Sequence, residues 1–144
     1  MGADTATAND DAWSAAIAAA VLRRGAMVHI ASLVLSAAAI VVGAAARADV
    51  AFLIAACIIV ALGVVEFWLA ARVALDAELL DALAARHADL AGFDGAMQRL
   101  HLMPPGKAGR PIGARIRGAL RLLKLQAAML GLQLAVLVVF ALWA

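Results

Sequence analysis

Residues 26–71 read AMVHIASLVLSAAAIVVGAAARADVAFLIAACIIVALGVVEFWLAA, two long apolar runs that flank the short polar stretch Arg47-Ala48-Asp49. Each run has about the 20 residues that an α-helix needs to cross the hydrocarbon core of a bilayer. His29 is the only ionisable residue in the first run, and Glu66 the only one in the second. The stretch therefore predicts a tight hairpin of two transmembrane helices.

A third apolar run covers residues 125–144 and has no charged residue after Lys124. The whole chain of 144 residues is 67% apolar and 15% charged, whereas soluble domains are about half apolar. A chain this small cannot bury such an excess in a core of its own. Part of the protein must therefore face lipid, which excludes a soluble enzyme, a disordered regulator, a disulfide scaffold or a soluble nucleic-acid reader as a description of the whole chain.

Residues 72–124, between the second and third spans, are predicted to be a helical cytoplasmic region. The apolar residues from Val73 to Leu90 recur at helical spacing, with no Gly or Pro between them and the second span, so one long helix is expected to leave the membrane. Asp94 is expected to N-cap a short helix that Pro104-Pro105-Gly106 ends. Another helix is expected to begin between Pro111 and Ala114 and to continue into the third span.

The predicted fold is an all-α membrane protein with three transmembrane helices, a hairpin plus a third span, and a helical region between spans two and three. The expected organisation is an N-terminal tail and interfacial segment (1–25), the hairpin (26–71), the cytoplasmic region (72–124) and the third span (125–144). Residues 1–11 have few large apolar side chains and are expected to fray. Trp13 favours the headgroup level for the segment that follows.

The positions of Lys and Arg predict the orientation. Of the 12 basic residues, 11 precede the first span or lie in residues 72–124, and only Arg47 lies in the hairpin turn. Cytoplasmic loops carry the excess of basic residues, so we expect a multi-pass protein of a bacterial-type inner membrane with a cytoplasmic N-terminus and an external C-terminus. A cleaved signal peptide ending near Ala44-Ala45-Ala46 is the alternative. The acidic leader and the long apolar run favour a retained anchor.

His29 and Glu66 are expected at the same depth in the hairpin. If the turn is centred between residues 47 and 48, residues at equal depth have numbers that sum to about 95, as 29 and 66 do. Ionisable groups inside a bilayer are costly and usually have a partner, so we expect a hydrogen bond or ion pair between them. Three interpretations stay open: a bond that fixes helix register, a contact with a partner subunit, or movement of protons or ions.

Small residues share the facing sides of the two hairpin helices. They are Ser32, Ser36 and Gly43 on the first helix and Ala56 and Gly63 on the second, with Gly63 expected opposite Ser32. Small residues let membrane helices approach closely, which predicts a closely packed hairpin.

Few polar residues are available for a path across the membrane. Besides the two serines of the first span, the spans offer Gln126 and Gln133 in the third. This scarcity argues against a self-contained transporter. Cys57 is the only cysteine and lies in an apolar run, where it is expected to act as a small apolar residue.

The cytoplasmic region separates its charges. Residues 72–102 have three Arg and five acidic residues, whereas residues 103–125 have six basic residues and no acid. The cluster of Arg115, Arg117, Arg121 and Lys124 next to the third span is of the kind that binds anionic lipid headgroups. There are two alternatives. The cluster could neutralise the charge of the neighbouring acidic helix, or it could act only as a signal for membrane topology. A nucleic-acid partner is not expected, since the acidic helix opposes it.

No catalytic, metal or cofactor motif is recognised. Pro105-Gly106-Lys107 lacks the remaining residues of a phosphate-binding loop. His87 and His101 have no second ligand at a metal-binding spacing and are expected on solvated or interfacial helix faces. We therefore expect no cofactor, no bound metal and no enzymatic activity.

The favoured hypothesis is a non-enzymatic accessory, scaffolding or oligomerising subunit of a membrane assembly. Its partner is expected to be another membrane protein or a second copy, bound through the small-residue stripes and through an apolar cytoplasmic face. That face comprises Leu79, Leu83, Leu90, Phe93, Met97 and Leu100. One alternative is an oligomeric channel or proton-coupled transporter that uses Glu66 and His29. Another is a membrane enzyme or its cofactor-carrying anchor.

Overall fold

The computed structural model describes residues 2–45, 50–86, 89–103, 106 and 108–143, and these residues form an all-α fold without a strand. The helices are α1 (Gly2–Arg23), α2 (Gly25–Ala45), α3 (Val50–Ala85), α4 (Leu90–Arg99) and α5 (Ile112–Trp143). The predicted fold class is confirmed, including the helical region between the second and third spans.

Three helical stretches are long and apolar enough to cross a bilayer: Asn9–Ala45, Val50–Ala85 and Ile112–Leu142. The chain is therefore a multi-pass membrane protein. The turn expected at Arg47-Ala48-Asp49, and with it the motif resembling a cleavage site at residue 46, lies outside the described residues.

The chain divides into two compact units. The span unit consists of Arg24–Ala74 and Leu122–Ala144, and the α4 unit consists of Met1–Arg23 and Leu75–Arg121. The long helices α3 and α5 contribute residues to both units, because no strong helix breaker interrupts either of them.

In the α4 unit, α1 is helical from Gly2, so the expected fraying is wrong for residues 2–11, and Met1 lies outside the described residues. Alanine has the highest helix propensity, and the alanines of α1 supply a close-packing face on which Ala15, Ala19 and Leu22 are almost completely buried. At the end of the helix, Nη2 of Arg23 lies 3.1 Å from Oδ1 of Asp81 on α3.

The N-cap of α4 is Asp89 rather than Asp94. The Asp89 carboxylate accepts a hydrogen bond of 3.0 Å from the backbone N–H of Gly92, and α3 ends at Ala85 instead of continuing to Leu90. An N-cap side chain must precede the first turn to reach its free N–H groups, and Asp89 has that position.

Asp94 lies inside α4, where it joins that helix to α5 and to the segment before α5. Its buried carboxylate accepts hydrogen bonds from Nη2 of Arg115 at 2.7 and 2.9 Å and from the N–H of Gly109 at 2.8 Å. Gly109 has a φ of +73°, a conformation that glycine adopts without strain.

His101 lies in a turn after α4 with a φ of 56°, not on a helix face as expected. The helix has already ended at Arg99. His87, Pro104, Pro105 and Lys107 lie outside the described residues.

Candidate functional site

The span unit contains a seam of polar side chains between its three helices, and the first layer of this seam centres on Glu66. The Glu66 side chain is fully buried, and its Oε2 lies 2.9 Å from Nδ1 of His29, which is the hydrogen bond expected from their equal depth. Gln126 on α5 donates from Nε2 to Oε1 of Glu66 at 2.8 Å and to the carbonyl oxygen of Gly25 at 2.9 Å. One layer thus ties α2, α3 and α5 together.

The second layer repeats this arrangement seven residues away on each helix, later in the sequence on α2 and α5 and earlier on the antiparallel α3. Gln133 donates from Nε2 to Oγ of Ser36 at 3.2 Å and to the carbonyl oxygen of Ile59 at 3.0 Å. Seven residues are about two helical turns, or about 10.5 Å along the axis. The two layers therefore lock the three helices at two depths.

Ser32 lies between the two layers on α2 and is buried. Its Oγ has no hydrogen-bond partner among the described residues, and the same holds for Oε1 of Gln126 and of Gln133. Burial of polar groups in a bilayer is costly, and the two glutamine side chains are held by the hydrogen bonds that their amide nitrogens donate.

Close packing of α2 and α3 is present, but Gly63 faces Ser36 rather than Ser32, where it was expected. A Cβ added at Gly63 would overlap Oγ of Ser36, and one added at Gly43 would lie 3.3 Å from Cβ of Ala56. Helical side chains lean toward the N-terminus of their own helix. In an antiparallel pair this lean raises the summed residue numbers of positions that meet at their Cβ atoms, and the sum is 99 for both glycine contacts. The longer side chains of His29 and Glu66 meet at a sum of 95.

An apolar cleft of about 340 Å³ lies in the other half of the span unit. It is lined by Leu35, Ala38, Ala39, Val42, Phe52, Ala55, Ala56, Ile59, Leu137, Phe140 and Ala141. The rings of Phe52 and Phe140 meet edge to face in its wall, with centroids 4.9 Å apart. The polar seam therefore ends at the layer of Ser36 and Gln133, and apolar side chains continue from there.

Two of the predicted binding residues are not available in this structure. Leu83, expected on a partner surface, is buried within the α4 unit, with only 2% of its surface exposed. Arg115, expected at lipid headgroups, is paired with Asp94 because that buried carboxylate needs a cation.

The other predicted binding residues keep some exposure. Leu79, Leu90, Phe93 and Met97 are half-buried, whereas Leu100, Arg117, Arg121 and Lys124 are exposed. Cys57 is also exposed, on the apolar surface of α3.

The structural role of Gln126 and Gln133 was missed in the sequence, where they were weighed only as parts of a proton path. A signal for it exists: Ile112, Ala119, Gln126 and Gln133 are seven residues apart on α5, and all are buried. A repeat of seven marks one face of a helix, so the two glutamines share the face that packs on the other helices.

The described residues hold no group of three or more His, Cys, Asp or Glu side chains that is suited to a metal ion. No family model, curated protein or solved structure matches the chain.

Proposed function

We propose that the protein is a non-enzymatic accessory, scaffolding or oligomerising subunit of a membrane assembly. We place it in a bacterial-type inner membrane with a cytoplasmic N-terminus and an external C-terminus, because the basic residues cluster on one side of the spans. The main supporting observation is that Glu66, Gln126 and Gln133 are completely buried and bonded to other helices of the same chain.

This inward bonding favours a packing role over transport. A proton or ion path needs polar groups across the full thickness of the membrane. Among the described residues of the span unit, the hydrogen-bonded polar side chains stop at Ser36 and Gln133, and the apolar cleft follows. An oligomeric channel through Glu66 and His29 would have to open the layer that joins the three helices.

A shallow groove between α2 and α3 offers a place for a partner helix. Small residues make up most of its lining, which consists of Ala39, Ile40, Gly43, Ala44, Leu53, Ala56, Cys57, Val60 and Ala61. Small side chains let the backbone of another membrane helix approach closely. The groove therefore suits a transmembrane helix from a second copy or from another membrane protein.

The test is purification of the full-length chain in mild detergent, followed by native mass measurement. We expect a defined complex that Ala61→Leu disrupts, because the larger side chain fills the groove. Val34→Leu is the matched control, since Val34 is 63% exposed on α2 and is absent from the groove lining.

A monodisperse monomer of the parent protein contradicts the proposal, and so does a complex that Ala61→Leu leaves intact. A disulfide between Cys57 of two copies under mild oxidation identifies the partner as a second copy. A native mass that is not a multiple of the 14.7 kDa chain identifies another membrane protein.

A further inference from the structure

Three exposed basic residues, one beside each span, lie at the same level of the span unit. A Cβ added at Gly25 would lie 3.0 Å from Cδ1 of Leu123 and 3.2 Å from Cγ1 of Val73, so α2, α3 and α5 meet there. Arg24, Arg72 and Lys124 are the sequence neighbours of these contacting residues, and all three are exposed. They lie within about one helical turn, 5.4 Å, of a common level. We call them the basic ring.

The basic ring lies at one end of three apolar stretches that contain no Lys or Arg, residues 25–45, 50–71 and 125–143. The guanidinium of Arg72 also stacks on the ring of Trp68, with its Cζ 4.8 Å from the ring centroid. Trp is enriched where a bilayer meets water. The basic ring therefore lies at the level of the lipid headgroups.

The charges of the basic ring are not neutralised within the span unit. Among the described residues of that unit, Glu66 is the only acid, and it is buried and bonded to His29 and Gln126. The ion pairs of Arg23 with Asp81, His29 with Glu66 and Arg115 with Asp94 do not involve the basic ring. Three exposed cations of the span unit thus face the headgroup layer.

We infer that the basic ring binds the phosphate groups of anionic phospholipids. The attraction is electrostatic, because a net negative headgroup complements three exposed cations, whereas a zwitterionic headgroup carries its own cation. A basic residue near a membrane surface strengthens binding to anionic lipid about fivefold. The inference concerns lipid rather than the protein partner proposed above, and it stands apart from that proposal.

Trp68 provides the reporter for the test, since it lies beside Arg72. The full-length chain with Trp13→Phe and Trp143→Phe is placed in nanodiscs that contain brominated phosphatidylglycerol or brominated phosphatidylcholine. Bromine quenches a nearby Trp, so the ratio of quenching gives the relative affinity for the two lipids. The preference for phosphatidylglycerol is expected to fall about twenty-five-fold in Arg24→Gln/Lys124→Gln, at about fivefold for each charge.

Two variants separate the basic ring from net charge and from misfolding. Arg99→Gln/Arg110→Gln removes the same net charge from exposed residues outside the span unit and is expected to keep the preference. Arg24→Lys/Lys124→Arg keeps both positive charges and is also expected to keep it.

Equal quenching by both lipids in the parent protein overturns the inference. So does an equal fall in Arg99→Gln/Arg110→Gln, or loss of quenching when excess inorganic phosphate is added, which would indicate a general phosphate site. The native mass of the purified complex is a separate measurement, so failure of one proposal is distinguishable from failure of the other.

Discussion

Gln126 joins all three helices of the span unit through its side chain. Its single amide nitrogen donates to Glu66 on α3 and to the carbonyl of Gly25 on α2. Glycine is suited to position 25 because an added Cβ would lie only 2.9 Å from Oε1 of Gln126, which is too close. One side chain therefore holds three helices, and its loss is expected to weaken all three.

Gln126→Leu is predicted to lower the free energy of unfolding by about 1–3 kcal/mol, since it leaves two buried acceptors without their donor. Interhelical hydrogen bonds in membrane proteins average about 0.6 kcal/mol, so a larger loss reflects the two acceptors together. The measurement is helix content during titration of the detergent-solubilised chain with sodium dodecyl sulfate.

Gln98→Leu is the control for this change, because Gln98 is exposed on α4. We expect it to leave the unfolding curve in place. A Gln126→Leu protein as stable as the parent would show that the first layer adds nothing to helix association.

At the scale of elements, the contact between α2 and α3 depends on the absence of a side chain at Gly63. Gly63→Ala is predicted to destabilise the protein by about 1–3 kcal/mol, the usual cost of overpacking, because the new Cβ overlaps Oγ of Ser36. The same detergent titration measures the loss.

Two comparisons isolate the steric cause. A Cβ added at Gly131 on α5 has no atom within 4 Å. Gly131→Ala is therefore expected to leave the free energy of unfolding unchanged or to raise it by up to about 1 kcal/mol through higher helix propensity. Ser36→Ala combined with Gly63→Ala removes the overlapping oxygen and is expected to recover part of the loss. If both glycine substitutions behave alike, the close approach of α2 and α3 at Gly63 is not a source of stability.

At the scale of the whole molecule, the unequal distribution of Lys and Arg predicts how the chain crosses the membrane. A C-terminal fusion is expected to show alkaline phosphatase activity, which develops only outside the cytoplasm, and an N-terminal fluorescent fusion is expected to be bright in the cytoplasm. The physical reason is retention of basic segments on the cytoplasmic side. An inactive phosphatase at the C-terminus would contradict an odd number of spans.

The sequence predicted those parts of the fold in which the apolar residues form long runs or recur at regular spacing. The apolar runs of α2, α3 and α5, and the start of α5 near Pro111, needed only length and hydropathy. The depth match of His29 with Glu66 needed only the antiparallel geometry of a hairpin.

The remainder depended on contacts between distant parts of the chain. Asp94, predicted to cap α4, instead binds Arg115, which is 21 residues further along the chain. The inward turn of Gln126 depends on Gly25, 101 residues away. The pattern of neighbouring residues does not reveal contacts between such distant positions. The repeat of seven on α5 does show which face of that helix is buried.

The bond from Gln126 to Glu66 also has a consequence for the order of synthesis. The ribosome adds Glu66 to the chain 60 residues before Gln126. During that interval, the newborn hairpin holds an acidic side chain whose second donor has not yet been made. A nascent chain that stalls before α5 therefore has a hairpin in which Glu66 lacks the hydrogen bond from Gln126.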